Sequence, residues 1–199
     1  MSYSVQPPPC DPARLRGLSE RLIVSHYENN YGGAVKRLNA ITAQLAELDP
    51  ATAPTYVLNG LKREELVAAN SMILHEIYFD ALGESEGPTG DVNAALARDF
   101  GSLERWRMEF MAMGKALGGG SGWVLLTYSP RAGRLINQWA CDHAHTLAGA
   151  SPILALDMYE HSYHMDYGAK AAAYVDAFMQ NIDWNKVAAR FASCARIAA

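Results

Sequence analysis

Cysteine is scarce in this chain of 199 residues: Cys10, Cys141 and Cys194 are its three, far apart and in no C-x-x-C arrangement. That argues against both a disulfide framework and a thiolate zinc site. No stretch of about 18 consecutive apolar residues occurs, so no membrane span is written in the chain. The start, Met1 to Pro12, lacks the apolar core behind a positive region that an export signal needs, and the expected location is cytoplasmic. Basic residues are dispersed, 17 against 21 acidic for a formal net charge of −4. Without a basic block to track a phosphate backbone, nucleic acid is not an expected partner. Internal repeats and low-complexity tracts are also missing.

What is present is ample apolar material, 50% of residues, enough to bury a substantial core in one domain or two small ones. Behind Pro7-Pro8-Pro9, Ser19 is a candidate N-cap for a first helix, and Leu38, Ile41, Leu45 and Leu48 recur at steps of three and four. Between them Asn29-Asn30-Tyr31-Gly32-Gly33 predicts a bend or break, with a kink near His26. Asn59-Gly60 reads as a turn ahead of a second long helix carrying Leu66, Val67, Asn70, Ile73, Leu74, Ile77, Tyr78 and Ala81. The two helices are expected to form an antiparallel hairpin.

Gly83 to Gly90 is rich in helix breakers, and the domain boundary is placed there: an N-terminal helical hairpin over 1–86 and a C-terminal domain over 87–199. Asp91 to Phe100 and Ser102 to Leu117 read as helices, the second stopping at Gly118-Gly119-Gly120. Trp123 to Tyr128, the turn Pro130-Arg131-Ala132-Gly133 and Leu135 to Trp139 read as a β-hairpin, with Ile153 to Leu156 a third, buried strand. Helices over Ala169 to Ile182 and Trp184 to Ile197 complete an α+β fold, a three-stranded antiparallel sheet wrapped by helices behind the helical hairpin.

The histidines fall at 26, 75, 143, 145, 161 and 164, most of them near two places, which invites a metal reading. Asp157-Met158-Tyr159-Glu160-His161 puts a carboxylate and an imidazole four apart directly after an apolar strand. Imidazoles with one carboxylate suit iron, manganese or zinc, and with an open position they suit redox chemistry. Taken singly, His26 or His75 reads more readily as a satisfied core histidine than as a ligand, and Asp157 equally as a helix N-cap.

The run Leu156 to Tyr167 resembles the C-terminal signature of the iron/manganese superoxide dismutases, D-x-W-E-H-A-Y. Pro88-Thr89-Gly90, Asp99-Phe100-Gly101-Ser102 and Gly118 to Leu126 with Gly120-Ser121-Gly122-Trp123 are similar to the segments leading into that family's first strand. Ser25-His26-Tyr27, followed by Leu38-Asn39, stands where the family has its first ligand helix, and Asn70 to Leu82 around His75 resembles the second. The resemblance implies that His26, His75, Asp157 and His161 bind one Fe or Mn ion together with a solvent molecule, and that the substrate is superoxide. It also implies a homodimer or dimer of dimers, in which Glu160 bonds to the partner's histidine ligand.

Around these residues the chain departs from the family. The position of the gateway tyrosine falls on Ala34 and that of a nearby histidine on Asn30. Tyr31 is the tyrosine near enough in sequence to serve, with packing at the surface as its other reading. The signature tryptophan is Tyr159, and the tyrosine three residues after the last ligand is His164, so Asn30 and His164 are expected to form a reversed bridge across the dimer. Ser71 takes the place of one family glutamine. Asp142-His143 is similar to branches that use histidine to orient the metal-bound solvent, with His145 in reserve, and Trp123 is expected beside the metal. Two other readings stay open: a non-catalytic metal-binding member of the fold, and a redirected non-haem oxygenase-like enzyme using the room left at Ala34 and Asn30.

Overall fold

The computed structural model describes residues 2–197. Ser19 caps α1 (Glu20–Ser25), its hydroxyl accepting from Leu22 N at 3.1 Å. The chain does not break at the paired glycines. One turn, His26–Tyr31, widens into a π-helix and runs directly into α2 (Gly32–Glu47). Gly32 and Gly33 place no Cβ against the widened ladder, and single π turns of this kind concentrate at functional sites. The N-terminal strap crosses α2, held by Asn39, whose Oδ1 accepts from Tyr3 N at 2.8 Å.

α3 (Thr55–Asp80) runs back against α2 as the hairpin requires. It starts ahead of Asn59-Gly60, which lies inside the helix instead of forming the expected turn. The reversal is made by Asp49, whose carboxylate accepts from Ala51 N at 2.9 Å and from Thr52 Oγ1 at 2.9 Å. A Cβ at Gly60 would touch nothing, so the glycine costs α3 only its propensity, roughly 0.8–1.0 kcal/mol, which the burial of the helix overrides.

α4 (Gly90–Phe100) ends at Gly101, φ +88°, and Ser102 caps α5 (Leu103–Ala116) by accepting from Arg105 N at 3.0 Å. Three strands follow, β1 (Trp123–Ser129), β2 (Arg134–Ala140) and β3 (Ser151–Asp157), in the antiparallel order β2-β1-β3. β1 is buried throughout, as a central strand covered on both faces should be. Trp123 stands opposite both Ala140 and Asp157, so the start of β1 and the end of β3 meet at one edge of the core.

A short turn (Glu160–Ser162) and helix α6 (His164–Tyr167) lead to α7 (Ala171–Phe178) and α8 (Trp184–Ile197). α7 is shorter at both ends than the expected helix over Ala169 to Ile182. Its last residues turn out to clasp the chain after α3: Gly83 N donates to Asn181 O and Asp183 N to Ala81 O, both at 2.8 Å. The buried Asn181 side chain also accepts from Arg16 N at 2.8 Å and donates to Arg16 O at 2.7 Å. Those backbone groups find partners across the molecule that a longer α7 would have withheld. No helix among the described residues is long and apolar enough to cross a membrane.

Candidate metal centre

Four elements deliver one polar side chain each to a single point. His26 comes from the π turn, His75 from near the end of α3, Asp157 from the last position of β3, and His161 from the turn after it. That turn is held locally: Tyr159 N donates to Asp157 Oδ1 at 2.8 Å, and Ser162 Oγ to the Asp157 carbonyl at 2.9 Å. The other carboxylate oxygen, Oδ2, faces three imidazoles, with His26 Nε2 at 3.1 Å, His161 Nε2 at 3.2 Å and His75 Nε2 at 3.5 Å.

These three contacts cannot all be hydrogen bonds. His75 Nδ1 lies 2.6 Å from the Ser71 carbonyl, which can only accept, so Nδ1 carries the ring proton and Nε2 is a bare lone pair. Buried, that Nε2 has no hydrogen-bond partner among the described residues. Burial pushes His26 down and His75 to about 3, which keeps both imidazoles neutral. Burial alone would raise Asp157, but hydrogen bonds from His161 and His26 more than reverse it and hold the carboxyl well below its ordinary range. A buried anion that faces the bare lone pair of a neutral imidazole lacks a cation. The donor atoms lie within 4.8 Å of one another. Neutral imidazoles with one carboxylate suit iron, manganese or zinc, so the residues fit a metal ion.

Around this point the rings are ordered. Trp123 Nε1 donates to His143 Nδ1 at 3.0 Å, which leaves the His143 proton on Nε2. Asn70 Nδ2 holds the His143 carbonyl at 2.7 Å. Tyr159 stacks between His143 and His161, at centroid distances of 4.8 and 5.4 Å. Trp123 also packs edge-on against His75 at 5.2 Å.

A cavity of about 220 Å³ opens from His75, His143 and His161 past Ser71, Ala34 and Asn30 to the surface. It therefore holds His143 and Asn30. It does not hold Tyr31. That side chain is neither beside the metal point nor at the surface: it is buried on the other flank of α3, its hydroxyl donating to Glu76 Oε1 at 3.0 Å and accepting from Gln6 N at 2.9 Å. The π turn sets this, since it reorients the residues that follow His26. Tyr31 lines a separate cavity of about 460 Å³ with Tyr27, Asp80 and Arg190. His145 lies outside the central cavity, exposed beside Asp142, and Glu160 and His164 are exposed on the outer surface. One residue at the cavity mouth has no motif to announce it: Arg37, on the exposed side of α2.

A helical hairpin packed on a small antiparallel sheet, with three imidazoles and one carboxylate meeting at a buried point, defines a mononuclear metalloprotein. Comparison with known proteins narrows the class. The family model described as "Iron/manganese superoxide dismutases, C-terminal domain" matches residues 88–190. The chain is 74% identical over 196 residues to "Superoxide dismutase [Fe]" of Cupriavidus metallidurans, covering 98% of this chain and 100% of that protein. It is 36% identical over 177 residues to "Superoxide dismutase [Mn] 2" of Halobacterium salinarum, covering 87% and 86% of the two. It is 33% identical over 188 residues to "Superoxide dismutase [Fe]" of Aquifex pyrophilus, covering 90% and 87%. The chain belongs to the iron/manganese superoxide dismutases.

Proposed function

We propose that His26, His75, Asp157 and His161 hold one iron ion per chain, and that this centre dismutes superoxide. The observation that carries the ligand assignment is the buried lone pair of His75 Nε2, directed with His26 and His161 at one oxygen of Asp157. Iron, in preference to manganese, is supported by the 74% identity to the iron superoxide dismutase of Cupriavidus metallidurans. Two superoxide anions and two protons become one dioxygen and one hydrogen peroxide. When bound, the metal supplies the one-electron exchange, alternating between its trivalent and divalent states.

The chain's own residues supply the rest. Arg37 places a cation at the cavity mouth, where it attracts an anionic substrate. His143, held as the Nε2–H tautomer by Trp123, offers a proton donor on the cavity wall, and Tyr159 keeps its ring plane between His143 and His161. With Ala34 and Asn30 in place of larger groups, water reaches this wall. The cavity volume of about 220 Å³ is below the roughly 300–1,000 Å³ of pockets for organic ligands, which disfavours an oxygenase-like substrate.

The chain divides near residue 86 into the helical hairpin and the sheet-bearing domain, a reading supported by the breaker-rich segment there. It works in the cytoplasm as a homodimer or dimer of dimers, with the exposed Glu160 and His164 at the contact between copies. Superoxide consumption by the iron-loaded chain, measured against ionic strength, tests the function. Iron-loaded protein is expected to consume superoxide far faster than the same concentration of free iron; a rate no higher, with the site filled, would remove the proposal. Arg37→Glu should slow consumption about tenfold at low salt with iron content unchanged, since charge steering changes encounter rates by roughly 10–10³. The gap should close as the screening length falls to about 8 Å near 0.15 M salt. A gap that persists at high salt would assign Arg37 another role.

A further inference from the structure

We propose that Cys141, Asp142 and His145 form a second metal site, specific for a borderline divalent cation such as Zn²⁺ and separate from the iron centre. For want of a C-x-x-C pair, sequence spacing argues against a thiolate zinc site. A mixed set of one thiolate, one carboxylate and one imidazole needs no such pair. The structure puts the three donors together on the loop that leaves β2, their ligand atoms within 4.8 Å of one another.

The distances suit a small tetrahedral ion. Cys141 Sγ lies 3.4 Å from His145 Nδ1, against the ~3.6 Å separating sulfur and nitrogen around zinc with bonds of about 2.3 and 2.0–2.1 Å. Asp142 Oδ1 lies 2.7 Å from the same Nδ1, so these two must part by roughly 0.7 Å to admit the ion. Both side chains are part-exposed, at 39% and 52%, and have room to do so. Solvent then takes the fourth position.

The backbone beneath is already fixed. Ala144 N donates to Asp142 Oδ1 at 2.7 Å, and Ser121 Oγ to the Cys141 carbonyl at 3.0 Å. Gln138 of β2 grips the far side, donating to His145 O at 3.1 Å and accepting from Leu147 N at 3.0 Å. Little ordering is left for binding to supply. Cys141 is a free, half-buried thiol, so no disulfide withholds its sulfur from the ion.

The test uses iron-loaded full-length protein, with zinc uptake and iron retention measured together. One further zinc per chain with iron retained is expected, and Cys141→Ser and His145→Ala should each weaken that uptake by more than the roughly 10–100-fold carried by outer partners of a metal site. Cobalt gives a second readout. A thiolate-to-cobalt charge-transfer band should appear in the parent protein and not in Cys141→Ser, with quenching of the exposed Trp139, whose ring lies 6.2 Å from that of His145. Zinc taken up only as iron is lost, no uptake by iron-loaded protein, or equal uptake in both variants would each overturn the proposal.

Discussion

Asp157→Ala is expected to purify with less than a tenth of the parent's iron and with no superoxide consumption above that of free iron. The carboxylate is the one charged donor of the set, and its Oδ2 is the atom toward which all three imidazole Nε2 atoms point. Changing an outer partner of a metal site costs roughly 10–100-fold in affinity, and loss of an anionic ligand should cost more. The fold should survive. Removing Asp157 removes a buried charge, and the main structural debt is Tyr159 N, which loses its acceptor Oδ1, worth about 1–3 kcal/mol. Metal content by elemental analysis, read beside the circular dichroism spectrum, separates the outcomes. Full iron retention in a folded variant would mean that the ion sits elsewhere.

Gly122→Ala should have the largest effect on stability, with every proposed ligand left in place. Gly122 has φ +130°, and a Cβ there would lie 2.1 Å from the carbonyl oxygen of Ala140. Neither atom can move freely: Gly122 O accepts from Met158 N at 2.9 Å, and Ala140 ends β2 opposite Trp123. Backbone strain of about 1–3 kcal/mol adds to a clash against backbone, which places the loss near 4 kcal/mol. At roughly 2–4 °C per kcal/mol for a chain of this size, the midpoint of thermal unfolding should fall by about 8–16 °C. A fall of under 2 °C would mean that the loop before β1 relaxes freely. The substitution also displaces Trp123 and with it the hydrogen bond to His143, so iron-loaded protein should lose activity before it loses metal.

Much of this was legible in the amino-acid sequence, for identifiable reasons. The strands announced themselves because β1 and β3 are apolar runs between glycine and proline turns, and burial on both faces of a strand demands such runs. His26, His75, Asp157 and His161 were legible only through the resemblance, since each alone reads as a core residue or a cap. Their convergence on one oxygen depends on the register that sets Trp123 opposite Asp157. Tyr31 was misplaced because a sequence shows that glycines loosen a helix but not whether it breaks or widens, and the π turn sends that hydroxyl to Glu76. Asn59-Gly60 misled because turn chemistry yields to burial of the surrounding helix. Arg37 carried no signal, since an arginine on an exposed helix face has significance only when a cavity opens beside it.

Anomalous diffraction from crystals of the iron-loaded protein, collected at the iron absorption edge, tests the central claim most directly. A single strong peak per chain is expected at the centre of His26 Nε2, His75 Nε2, His161 Nε2 and Asp157 Oδ2, within direct bonding distance of all four. A peak bonded to other residues, or none there in protein that carries a full complement of iron, would contradict it.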